Sequence, residues 1–135
     1  GMALHRNLLQ CVKEGRQTSL SEQIMNDEAS LTLDDIIEAT LKEDLLCIEL
    51  VEDIGQKLGR YLAGLINLLN PEMVIIGGSL ARTGDSVLQP VKSAVRKYSL
   101  NMVNRDSAIV LSKLQDKAGV TGACLLARKS LFQFT

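Results

Sequence analysis

The chain has 135 residues, 46% hydrophobic and 23% charged, with a formal net charge of -1, which is enough length for one buried core and too apolar for a disordered or low-complexity chain. Its longest run without a charge, Tyr61 to Pro71, falls well short of the roughly 20 apolar residues of a membrane span. No signal segment opens it, so a soluble cytoplasmic protein with no membrane partner is expected.

Ala3 to Glu14 carries Leu4, Leu8, Leu9 and Val12 at helical spacing and is stopped by Gly15, which predicts a short amphipathic helix. A polar stretch follows, in which Ser19-Leu20-Ser21-Glu22 allows a further short helix. Thr32 stands three residues before Asp35, ahead of Ile36, Ile37 and Ala39, the pattern of a capped helix start. The strongest periodicity runs from Glu43 to about Asn70, where Cys47, Val51, Ile54, Leu58, Leu62, Leu65 and Leu69 share one face of a helix about 40 Å long. Gly55, Gly59 and Ala63 recur on an adjacent stripe at a cost in helix propensity, so another element should lie close against it.

Asn70-Pro71 ends that helix. Met73 to Ile76 reads as a short strand buried on both faces, as in parallel sheets under helices, and Gly77-Gly78-Ser79 follows it. After Gly84-Asp85 a helix resumes, with Pro90 tolerable only in a first turn or at a kink. Ala108 to Leu111 is a second apolar strand, and Ala118 to about Phe132 reads as a helix with small residues near its start. Strand, helix, strand, helix predicts a βαβα unit with a right-handed parallel crossover.

The chemistry-bearing residues are sparse. Cys11, Cys47 and Cys124 show no C-x-x-C or Cys/His ligand spacing, so they read as core residues and no metal site is expected. His5 has no partner at ligand spacing and reads as a surface or capping residue. The acid pairs Asp34-Asp35 and Glu52-Asp53 read as exposed helix charges, and no catalytic set is recognised. The Gly77-Gly78 pair at the end of a buried strand would let a ligand approach the backbone. It has neither the G-x-G-x-x-G nor the P-loop spacing.

Charge is unevenly placed. Residues 1 to 70 carry a net -6 and residues 71 to 135 a net +5. The basic residues of the second half are spread over several elements and it has few aromatics, so solvated surface or complementarity between subunits is expected rather than nucleic-acid binding.

The combined string carries more than its parts. Leu58-Gly59-x-x-Leu62-Ala63-x-x-Ile66-Asn67-x-x-Asn70-Pro71-Glu72-x-Val74-x-Ile76-Gly77-Gly78, then Gly84-Asp85, Pro90 and Lys117-Ala118-Gly119-x-x-Gly122-Ala123, resembles the C-terminal lobe of the ROK family (repressor, open reading frame, kinase). That family holds sugar-responsive repressors and sugar kinases. The resemblance covers about residues 3 to 133 and is strongest to regulators of the N-acetylglucosamine repressor kind. It implies an α/β fold, the helix-rich C-terminal lobe of an actin-like ATPase (ribonuclease-H-like) fold with a short parallel sheet, as a single domain over residues 1–135.

The family's phosphate-binding segment, catalytic aspartate, sugar-binding segment, Cys-rich zinc motif and helix-turn-helix find no counterpart here. The chain therefore reads as a lobe fragment, a truncated product or an expressed piece, with Gly1 before Met2 as the remnant of a removed tag. By the same resemblance Gly77 and Gly78 match glycines that approach nucleotide in the kinases, with Ser79 where a third glycine is common. These three form the candidate cofactor-binding turn. No catalytic residue, metal or resident cofactor is assigned.

The function implied is a dimerisation and effector-pocket lobe of a sugar-responsive transcriptional regulator, not an enzyme by itself; the alternative is the adenosine-binding lobe of a glucokinase-like sugar kinase. The expected partner is a second copy of the chain, as a homodimer or higher homo-oligomer, through the long helix or the helix from Ala118. An open edge on the Val74 to Ile76 strand or its neighbour would favour that pairing. A sugar or nucleotide would bind only in a full-length context, and DNA not to this piece alone.

Overall fold

A computed structural model describes residues 2–99, 108–112 and 122–126. The chain forms two compact units, Gly1–Ile54 and Gly55–Thr135.

In the first unit, helix α1 spans Met2–Lys13 and buries Leu4 and Leu8 completely. Gly15 follows at φ +94°. The Arg16 N–H then reaches the Cys11 carbonyl and the Gly15 N–H the Val12 carbonyl, each at 3.0 Å, the paired closure that satisfies a helix's last carbonyls. Helix α2, Ser21–Asn26, and a 3-10 turn, Glu28–Ser30, lead to α3, Leu33–Leu41, which starts with the expected capping box of Thr32 and Asp35. Asp35 is therefore more than a surface charge: hydrogen bonds from the Thr32 backbone and from Gln23 hold its carboxyl below the usual range. Asp34 is exposed, as expected. The same paired closure ends α3, with Glu43 taking the left-handed position at φ +67°.

Helix α4, Leu45–Leu69, is the long helix the periodicity predicts. Cys47, Val51 and Leu62 are buried, but Leu65 and Leu69 are each 41% exposed while Ile66 is fully buried. The buried stripe thus departs from the expected face in the last two turns. Ala63 and Ile66, continuing the small-residue row, face inward in their place.

In the second unit, strand β1, Met73–Gly77, precedes a 3-10 turn, Ser79–Thr83, and helix α5, Asp85–Tyr98. The expected close approach against Gly55 and Gly59 is real, and α5 makes it. A Cβ on Gly55 would lie 2.8 Å from the Val87 carbonyl oxygen and 2.9 Å from the Pro90 Cβ. Pro90 is the sixth residue of α5 rather than part of its first turn, so the Ser86 carbonyl has no i+4 N–H to accept from. The bare Gly55 gives the proline ring its space.

Strand β2, Ala108–Leu111, pairs parallel with β1 in the register Met73 with Ala108 through Ile76 with Leu111, as predicted. Strand β3, Gly122–Leu126, pairs antiparallel with β1, from Met73 with Leu126 to Gly77 with Gly122. This corrects the predicted helix from Ala118: its residues 122–126 are strand, and the rest of it lies outside the described residues. A short apolar run such as Gly122-Ala123-Cys124-Leu125-Leu126 carries too little periodicity to separate helix from strand, and tertiary pairing decides. The sheet, of order β2-β1-β3, is therefore mixed rather than wholly parallel, and β1, central in it, has no open edge. Nor is β1 buried on both faces: Val74 and Ile76 are buried, Ile75 is half-buried and Met73 is 36% exposed. No helix among the described residues is long and apolar enough to cross a membrane.

Candidate functional site

The structure sets Gly77, Gly78 and Ser79 in a row where β1 leaves the sheet. Gly77 closes the strand opposite Gly122 of β3. Beside it the Ile76 carbonyl accepts the Ser112 N–H at 2.7 Å, just beyond β2. Gly78 adopts φ 89°, ψ -175°, a conformation open in practice only to glycine, and its carbonyl accepts the Ala81 N–H at 3.1 Å to start the 3-10 turn. Leu80, Ala81 and Thr83 of that turn are buried, and the Thr83 hydroxyl donates to the Leu80 carbonyl at 2.7 Å. Gly84, at φ +62°, then accepts from the N–H groups of Val87 and Leu88 and opens α5.

The two glycines differ. Gly78 is required by its backbone angle. Gly77 has no positive φ, so its backbone angle does not demand glycine. That end, beyond the carboxyl termini of the parallel pair β1 and β2, is where open α/β sheets take ligands.

Two other polar sites escaped the sequence reading. In the first unit, Asp44 lies just before α4. One of its carboxylate oxygens accepts the Thr18 hydroxyl at 2.6 Å and the Ser19 N–H and hydroxyl at 2.6 and 2.7 Å. The other accepts the Cys47 N–H at 3.1 Å, capping the helix. Burial raises the Asp44 pKa, but the donors from Thr18, Ser19 and Cys47 outweigh it and bring the carboxyl down to about 2. Cys47 is fully buried, and that burial pushes its thiol up to about 12, which makes it an inert core residue as the sequence suggested. The legible signal was Asp44 four residues before Ile48 at a helix start; its partners Thr18 and Ser19 are 26 and 25 residues away and follow no local pattern. Arg16 and Glu49 form an exposed ion pair nearby.

In the second unit, Lys57, Arg60 and Tyr61 of α4 and Tyr98 of α5 line a surface pocket. Cys11 and His5 are half-buried on α1, and Glu52 and Asp53 are exposed on α4. Among the described residues no group of three or more His, Cys, Asp or Glu could hold a metal ion.

The profile of the ROK family matches residues 1–130. The chain belongs to the ROK family. This ROK chain is 33% identical over 99 residues to a glucokinase of Halalkalibacterium halodurans, an alignment covering 73% of this chain and 30% of the relative. It is 26% identical over 129 residues to the DNA-binding transcriptional dual regulator NagC of Escherichia coli, covering 96% of this chain and 30% of the relative. A solved ROK transcriptional regulator, a homologue of the E. coli Mlc protein, superposes with a TM-score of 0.74 at 24% identity over 82% of this chain and 26% of that one. The fold is therefore the helix-rich α/β actin-like ATPase type of its ROK neighbours. The chain spans about a third or less of the length of these relatives.

Proposed function

We propose that this chain supplies the C-terminal dimerisation and effector-pocket lobe of a sugar-responsive transcriptional regulator. The observation that supports the reading is that similarity to two regulators, NagC and a putative xylose repressor, runs over 96% and 98% of the chain. Ser79, standing where a third glycine is common in nucleotide-binding relatives, points the same way. In this reading the Gly77-Gly78 turn forms one wall of an effector cleft, and the lobe works as a single domain in a homodimer. It transfers no phosphate and retains no operator DNA by itself, because positioning a phosphoryl group needs a base and a metal site and DNA affinity needs a concentrated basic face.

The DNA immediately upstream of this reading frame tests parentage. An in-frame helix-turn-helix is expected. A phosphate-binding segment with a catalytic aspartate would instead establish the second reading, a sugar kinase whose Gly77-Gly78 turn approaches the adenosine of ATP, favoured by the 33% identity to the glucokinase. On the purified chain, light scattering over a concentration series should give a dimer. A coupled assay with ATP and glucose or N-acetylglucosamine should give no turnover, and turnover abolished by Gly78→Val would overturn the regulator reading.

A further inference from the structure

The pocket on the second unit has a volume of about 560 Å³, within the range of about 300–1,000 Å³ usual for small-molecule sites. Its walls are basic and aromatic. The Arg60 guanidinium carbon lies 5.0 Å from the centre of the Tyr98 ring, and the Lys97 ammonium nitrogen lies 5.4 Å from the same point. The ring quadrupole attracts both cations and neutralises neither, so two like charges are gathered on one aromatic side chain. Lys57 and Arg60 line the pocket with the two tyrosines, and Lys97 stands beside it at the Tyr98 ring. No carboxylate among the described residues lines the pocket, and neither α4 after Asp53 nor α5 after Asp85 contains an Asp or Glu. The two helices that carry the pocket are packed closely, because Gly59 brings their backbones together at Val91 and Ala94. Tyr61, which also lines the pocket, is 78% exposed. The pocket lies at the far end of α5 from Gly84, about 20 Å of helix away from the glycine turn, and so is separate from the candidate effector wall.

We propose that this pocket binds a small organic phosphate, with the phosphate held by Arg60 from the lining and by Lys97 at the pocket's edge and a ring of the ligand stacked on Tyr61. Charge-assisted bonds from a guanidinium and an ammonium are what a phosphate recruits, and pocket size and an exposed aromatic favour a compact ligand over an extended one.

The chain has two tyrosines and no tryptophan, and both tyrosines line this pocket, so its intrinsic emission reports on this site alone. Titration with phenyl phosphate at low ionic strength should change that emission saturably, and inorganic phosphate should bind the same site more weakly. Arg60→Gln and Lys97→Gln should each weaken phenyl phosphate by about tenfold, the loss of one charge-assisted hydrogen bond. Tyr61→Leu should remove the advantage of phenyl phosphate over inorganic phosphate. Lys42→Gln, the same charge change on the first unit, should have no effect. Circular dichroism checks each variant's fold, and Lys97, exposed at the end of α5, serves if the Arg60 variant is unstable. No saturable change, or equal affinity in the Lys97 and Lys42 variants, overturns the proposal. Emission that shifts on simple dilution together with a dimeric mass also overturns it, because the pocket then meets a second copy of the chain.

Discussion

Gly59 of α4 stands so close to Ala94 of α5 that a Cβ at position 59 would lie 2.6 Å from the Ala94 Cβ and 2.6 Å from the Val91 carbonyl oxygen. Real Cβ atoms do not approach backbone this closely, so any side chain here drives the helices apart. Gly59→Ala should destabilise the chain by about 2 kcal/mol, overpacking exceeding the gain of about 1 kcal/mol in helix propensity. Gly64, on the same helix with nothing within 4 Å of its Cβ position, is the internal control: Gly64→Ala should stabilise by about 0.5–1 kcal/mol. Urea denaturation of the two variants checks both signs.

Glu43 holds the left-handed position after α3 at φ +67°, a position where glycine is the usual occupant. Its side chain is exposed. Glu43→Gly should therefore stabilise the chain by about 0.5–1 kcal/mol through relief of backbone strain, read as a higher urea midpoint at unchanged slope.

Asp44 makes stability depend on pH in acid. Its carboxyl titrates near 2 in the folded chain against 3.8 without partners, so its contribution is whole above about pH 4 and lost as pH falls toward about 2. The site is partly open to water, and after discounting for solvent screening the contribution is about 1 kcal/mol. Asp44→Asn should flatten this part of the stability profile, and Asp44→Ala should in addition lose the helix cap, at a cost of about 1 kcal/mol at neutral pH. Thermal melts between pH 2 and 7 distinguish the two variants.

Cys47, fully buried with a raised thiol pKa, should resist alkylation in the native chain, while the half-buried Cys11 should react. Mass spectrometry of peptides after timed labelling reads this directly, and Cys47 should label only once denaturant unfolds its unit.

The helices α1, α3 and α4, the Thr32 cap, the stops at Gly15 and Pro71, and the parallel pairing of β1 with β2 were legible because each is written in local terms: apolar spacing near 3.6, Thr32 before Asp35, Asn70 before Pro71, a strand-sized run of Val and Ile. Gly55, Gly59 and Ala63 even announced a close neighbour, since bare helix positions cost propensity without a packing reason. The Gly77-Gly78-Ser79 turn was legible as a strand exit, and its place at the end of a parallel pair followed from chain order. What the sequence by itself determined is therefore the set of segments that bury one face and the family string they spell.

Tertiary structure alone decided which residues from distant segments meet. Gly122–Leu126 became a strand because β1 had a free edge to pair, a choice its five apolar residues do not encode. Thr18 and Ser19 found Asp44 across a stretch with no repeating pattern. Lys57 and Arg60, which by position belong to the acidic half of the chain, came to line one pocket with Tyr98, because helix packing, held close by Gly59, overrides the linear order of charge. Short-range spacing reports backbone preference and one-sided burial; the convergence of charges and donors depends on contacts between elements, and those exist only once the helices have docked.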